Sequence, residues 1–356
     1  MKFIKQIDGL RFVAIFMVLI AHWLEPSIQN PWLRNINYGT GVTLFFVISG
    51  FLITNILINF KLKNQLEGRG NWYSIKSFYM RRTLRIFPIY YITIFFLLII
   101  GFENTREFLP WLLSYTLNIK FALTNQFAGS FTHFWSLAVE EQFYILWAFL
   151  IVFIPNKYLK GLIIGSIIIS IVMRVYLTYF TPYWSAANGL MLTNMYSLGL
   201  GALIAYDKTF GDFFSRHIKI FKKALIYLIL IYIVAYVYPR EYQPFEGFKY
   251  TSDIYLSFVY FVVVVIASNG AFSCSAKKFL ENPVVLYLGK ISYGLYVFHL
   301  FMGPLYFNYL QQYIRLPLKT DLEYFILFFI MNLILASLSW FLIEKPFVGL
   351  KKYFKY

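Results

Sequence analysis

Apolar residues in this chain are gathered into long blocks rather than spaced at the intervals of a single amphipathic face. Nearly uninterrupted examples lie at residues 12–21, 92–100, 145–154, 162–172 and 257–267. Each extends to roughly 18–22 residues, the length at which a helix closes its backbone hydrogen bonds across a bilayer core. Ten such spans are read near residues 10–26, 40–59, 86–102, 134–154, 161–180, 189–206, 224–239, 251–269, 285–311 and 323–343. A further apolar stretch at residues 108–123 is interrupted by Asn118 and Lys120 and reads as re-entrant or interfacial. The expected fold is all-α, an integral membrane bundle of about ten transmembrane helices plus that one segment. No repeat, low-complexity tract or long linker divides it, so residues 1–356 are expected to form a single membrane domain.

Composition supports the same solvent. Hydrophobic residues make up 60% of the chain and charged residues 13%, against roughly 45–50% and about 25% in soluble domains. Lys2, Lys5 and Arg11 ahead of an apolar run have the outline of a signal peptide. Ile20-Ala21-His22-Trp23 offers no small-x-small cleavage site, so the segment reads as a retained first helix. The single cysteine, Cys274, excludes an internal disulfide and a Cys-based metal site. No metal is expected among only four histidines. The excess of Phe and Tyr is explained by packing and interfacial belts before any role in sugar stacking.

A net charge of +16 would suggest nucleic acid were it not sorted along the chain. With the amino terminus in the cytoplasm, 24 of the 32 Lys and Arg fall in inner segments. The other eight are Arg34, Arg106, Lys120, Arg174, Arg240, Lys249, Arg315 and Lys319. This is the positive-inside asymmetry, and its partner is membrane lipid. Were residues 108–123 a full span, 14 of the inner Lys and Arg would move outside. The expected protein is therefore a multi-pass plasma (inner) membrane protein with both termini cytoplasmic.

Ionisable groups at membrane depth are costly and mark candidate function. Arg11 and His22 are eleven residues apart, about 20° from three full turns, which sets both on one helix face roughly 16 Å apart. The alternative has Arg11 snorkelling to headgroups and His22 packing. Arg81, Arg82 and Arg85 lead into the third span at spacings that make a fork-shaped phosphate receptor. On spacing alone, anchorage against anionic lipid is the simpler explanation. Glu140 and Glu141 lie a turn or two inside the fourth span. Glu140 counts to a depth like that of His22, where a carboxylate would fix the imidazole tautomer. Ser292, Tyr296 and His299 form a polar stripe in the ninth span, with interhelical hydrogen bonding as the plainer account.

With these stretches assembled, the chain resembles the acyltransferase family three of membrane proteins. The matching pieces are Asp8-Gly9-Leu10-Arg11 with His22, Phe45-Phe46-Val47-Ile48-Ser49-Gly50-Phe51-Leu52-Ile53, and Arg82, Arg85, Ile86 and Pro88. The stretches at 135–144 and 288–299 follow, then Ile343-Glu344-Lys345-Pro346-Phe347. The resemblance implies transfer of an acyl group, usually acetyl, from cytoplasmic acyl-CoA to a carbohydrate or glycolipid acceptor at the outer face. It implies His22 as the catalytic histidine with Arg11 its partner, Arg82 and Arg85 (with Arg81) at coenzyme A, and Glu140 as the motif carboxylate. Ser49, Tyr296 and His299 are candidates to line the site. The chain ends ten residues after Pro346, so no extracytoplasmic hydrolase-like domain is expected; it would act alone or with a separate extracytoplasmic partner protein. Alternatives that stay open are a transporter or flippase for a glycolipid or anionic substrate, a succinyl donor, and a small-glycoside acceptor.

Overall fold

Where lipid replaces water, helices can leave apolar side chains on the outside and bury polar ones within. The computed structural model, which describes residues 4–127, 129–237, 247–314 and 316–354, follows that rule. Ile99, Ile169, Phe180 and Leu342 lie on exposed helix faces, while Thr54, Asn118, Ser197, His299 and Asn332 are buried. Arg240 and Arg315 lie outside the described residues.

The long helices are α1 (Lys5–Trp23), α2 (Gly41–Leu66), α3 (Asn71–Ile99), α4 (Phe134–Phe153), α5 (Asn156–Phe180), α6 (Met191–Phe210), α7 (Ile218–Tyr232) and α8 (Gly247–Ser268). There follow α9 (Pro283–Lys290) and α10 (Ser292–Phe298), then α11 (Asp321–Ser339). Among the described residues no strand is present, and eight helices are long and apolar enough to cross a membrane. A bent pair, Pro283–Lys290 with Ser292–Leu310, turned by 54°, brings the number to nine when counted as one span. The remaining expected span, at residues 251–269, corresponds to α8, whose described apolar stretch, Ser252–Ser268, is shorter.

The interrupted stretch at 108–123 forms two short helices, Thr105–Leu113 and Leu117–Thr124. Neither can cross alone, since nine residues rise only about 13 Å. Its polar residues are used as docking points. Asn118 donates to Gln142 Oε1 at 3.1 Å and to Gly189 O at 3.2 Å, and Gln142 donates to Tyr115 O at 2.9 Å.

Glycine sets how closely the core helices approach. A Cβ on Gly50 of α2 would lie 1.9 Å from Leu198 O of α6, and one on Gly201 would lie 2.0 Å from Val47 O. Likewise a Cβ on Gly289 of α9 would lie 1.9 Å from Asp8 O of α1. Gly50→Ala is therefore expected to force α2 and α6 apart, at an overpacking cost of about 1–3 kcal/mol. Gly161→Ala, with nothing within 4 Å of its Cβ, should be neutral or slightly stabilising. Thermal unfolding of the two purified variants in detergent checks the contrast; equal melting temperatures would refute the close approach.

These contacts sort the bundle into two ends. One gathers the start of α1, the arginines of α3, α9 and the carboxy-terminal residues. Arg81 joins them directly, donating to Lys351 O at 3.1 Å and Phe354 O at 3.0 Å. The other end holds His22, the start of α4 and His299.

Candidate active site

A cavity of about 690 Å³ is walled by residues of α1, α2, α3, α4, α9 and α10. At the basic end its walls carry Arg11 from α1, Arg82 and Arg85 from α3, and Lys290 at the end of α9, with Asp8 among them. Arg11 and Asp8 are 3.5 Å apart, one turn from each other on α1. Lys290 lies over the Trp340 ring at 4.6 Å and Arg82 over the Tyr144 ring at 5.6 Å, so aromatic faces hold both cations in place. Phe45, Phe46, Leu52, Ile53 and Leu137 give the cavity apolar walls.

Midway along, α2 and α4 contribute a hydrogen-bonded carboxylate. Glu140 accepts from Ser49 Oγ at 2.7 Å through one oxygen and from Tyr144 OH at 2.8 Å through the other. Glu141 also lines the cavity, and its buried Oε1 has no hydrogen-bond partner; neither has the buried hydroxyl of Ser292. Both adjacent carboxylates therefore reach the same space, although their directions differ by about 100° around the helix.

The cavity ends against Ser136 and Tyr296. Their hydroxyls are 2.5 Å apart, and both lie within hydrogen-bond distance of His133 O, at 3.1 and 3.0 Å. Two hydroxyl protons serve three contacts, so one group donates to the other while that one donates to the carbonyl. Beyond this pair stand three imidazoles. The rings of His22 and His299 are 5.1 Å apart, those of His133 and His299 4.8 Å, and Tyr296 is 5.3 Å from His299. His133 and His299 are buried, whereas His22 is exposed. Among the described residues no three His, Cys, Asp or Glu side chains are grouped to hold a metal.

The cavity takes in most of the residues singled out in the sequence, but His22 and His299 lie beyond its Tyr296 end and do not line it, and three further differences follow. Glu140 does not reach His22: it lies seven residues beyond His133, about 10 Å further along α4 toward the arginines. Counting residues inward from helix ends equated two depths that tertiary packing separates. Arg81 does not line the cavity, because its guanidinium is turned to the carboxy-terminal carbonyls. Lys290 lines the cavity and His133 packs 4.8 Å from His299, yet neither stands out in the sequence. Lys290 was legible as the last residue before the Ile291 break, but its charge already had an explanation in the positive-inside rule. His133 carried no signal, since it precedes α4 and meets His299 only through folding.

Comparison with known proteins agrees with this architecture. A family profile described as an acyltransferase domain matches residues 4–341. The peptidoglycan O-acetyltransferase OatA of Listeria monocytogenes is 29% identical over 324 residues, covering 84% of this chain and 49% of that protein. The O-acetyltransferase OatA of Staphylococcus aureus is 26% identical over 375 residues, covering 97% of this chain and 57% of that protein. The chain spans about half the length of the curated relatives it matches. No solved structure matches it significantly. With the profile covering nearly the whole bundle, and Arg11, Arg82, Arg85, Glu140 and Glu141 lining one cavity, the chain belongs to the acyltransferase family three of membrane proteins.

Proposed function

We propose that the chain moves an acyl group, acetyl in the first instance, from cytoplasmic acyl-CoA to a hydroxyl of a carbohydrate or glycolipid beyond the opposite membrane face. The observation that carries this reading is a continuous cavity running from Arg11, Arg82, Arg85 and Lys290 to Ser136 and Tyr296, with the His299 ring 5.3 Å from that of Tyr296. The names of the relatives support acetyl as the group and a peptidoglycan glycan as one acceptor class.

In this reading the basic end faces the cytoplasm, as the charge distribution favours. Arg82 and Arg85 hold the phosphates of coenzyme A through bidentate hydrogen bonds, with Arg11 and Lys290 adding positive field. The narrow pantetheine arm lies along the apolar walls. Its amide groups supply partners for Glu141 Oε1 and Ser292 Oγ, which otherwise leave buried hydrogen-bonding capacity unused. The thioester passes Ser136 and Tyr296 to reach His22. There an acceptor hydroxyl attacks the thioester carbon and His22 takes its proton as general base. The new C–O bond forms as the C–S bond breaks, and the departing thiolate receives that proton from His22. Glu140 keeps Ser49 and Tyr144 in place in the cavity wall.

Purified full-length protein given acetyl-CoA and soluble peptidoglycan fragments is expected to release coenzyme A thiol in step with acetyl ester formation. Thiol release with no ester, or neither, would reject the reaction. Glu140→Gln turns one of its two acceptor oxygens into a donor facing Ser49 or Tyr144. Losing one such bond, about 0.5–1.5 kcal/mol, predicts a rate loss of up to about tenfold. A silent Glu140→Gln beside a damaging Glu141→Gln would transfer the role to Glu141.

A further inference from the structure

Three of the four histidines in the sequence, His22, His133 and His299, converge from α1, the cap of α4 and the end of α10. Two of them have their tautomers dictated by backbone. A carbonyl can only accept, so His133 carries its proton on Nε2, which donates to Val297 O at 3.0 Å. By the same argument His299 carries its proton on Nδ1, which donates to Tyr296 O at 2.7 Å. The remaining nitrogens, His133 Nδ1 and His299 Nε2, are bare acceptors. Both are buried, and neither has a hydrogen-bond partner. Unmet acceptors in a dry site are costly, and native proteins keep few of them.

The titratable groups facing His299 are His133, His22 and Tyr296. The Tyr296 hydroxyl is already engaged with Ser136 and His133 O, and His133 offers only a lone pair. The Trp23 ring stands at 6.3 Å, further away than His22 at 5.1 Å. Among the described residues His22 is therefore the nearer source of an N–H for His299 Nε2.

We propose that His299 is the positioning residue for His22, its bare Nε2 accepting a ring N–H of His22 and so presenting the other His22 nitrogen to the acceptor hydroxyl. This rests on the reading of His22 as general base. The 5.1 Å ring separation fits an N–H···N bond of about 2.9 Å plus the two ring radii, and a turn of the exposed His22 ring brings the atoms into line. Once His22 has taken the hydroxyl proton, the same contact becomes a charge-assisted hydrogen bond to the imidazolium. His133, packed behind His299, keeps that ring from turning away. The orienting acceptor expected of Glu140 is thus a second histidine.

The test compares His299→Gln, which keeps an acceptor oxygen, with His299→Phe, which keeps bulk alone, in acetyl transfer by the full chain in lipid nanodiscs. The Phe variant should lose about 10- to 150-fold in kcat, the equivalent of one charge-assisted hydrogen bond. Its KM for acetyl-CoA should not change, and the Gln variant should recover most of the loss. The double variant with His22→Ala should be no slower than His22→Ala alone, because His299 acts through His22. A Phe variant as active as the Gln variant, or an additive double variant, would overturn the positioning role while leaving His22 as base. A wild-type rate in His22→Ala would instead overturn the base assignment and this inference with it. Should the Phe variant fail to fold, NMR of the histidine ring nitrogens in the wild-type protein decides. A His22 N–H bonded to unprotonated His299 Nε2 supports the proposal, and a His22 ring with no such bond rejects it.

Discussion

Replacing His22 with Ala is expected to abolish acyl transfer while the protein still inserts and purifies normally. The imidazole is exposed at the end of α1 opposite the arginines, so its loss leaves no cavity in a packed core. It removes the proposed base, a contribution of about 10²–10⁴-fold. His22→Ala is thus expected to sit at least about a hundredfold below wild type with acetyl-CoA affinity unchanged. Transfer near the wild-type rate from a well-folded His22→Ala protein would remove His22 from the reaction.

The second large effect concerns the donor. If Arg82 and Arg85 grip coenzyme A phosphates with planar forks, lysine cannot substitute, because an ammonium offers no parallel pair of donors. If they only retain the cytoplasmic side by charge, lysine serves equally well. Arg82→Lys and Arg85→Lys are each expected to preserve insertion and weaken acetyl-CoA binding by roughly 10- to 150-fold, the loss of one charge-assisted hydrogen bond. Arg81→Lys should leave affinity unchanged, since that side chain serves the carboxy-terminal carbonyls instead of the cavity. Direct binding to purified protein in detergent separates the three. Equal affinity in all of them would return the arginines to lipid headgroups.

Much of this architecture was legible in one dimension. Length and apolarity mark a bilayer span whatever the tertiary contacts, so the helices emerged nearly where blocks of Phe, Ile and Leu predicted them. Asn118 and Lys120 were enough to keep residues 108–123 from reading as a crossing, and the structure folds that stretch into two short helices. The cation cluster was legible too, because Arg82 and Arg85 share a helix face by spacing alone. What escaped was whatever depends on how helices are set against each other. Gly50 and Gly201 draw α2 onto α6, and Gly289 draws α9 onto α1. The α9–α1 approach brings Lys290 to the arginines, and the packing of α2 on α4 brings Glu140 to Ser49. The histidine cluster is the clearest case. Its members are scattered over 278 positions of the chain, from His22 to His299, and no periodicity connects them.

The account turns on an acyl group passing from the arginine end of the bundle to an acceptor at the His22 end, and sidedness tests that most directly. Protein is reconstituted into sealed vesicles with the arginine end outward, labelled acetyl-CoA outside and soluble peptidoglycan fragments trapped inside. The expected result is labelled acetyl ester on the trapped fragments, coenzyme A thiol outside, and neither product with His22→Ala. Ester forming only when donor and acceptor share one compartment would contradict the transmembrane path.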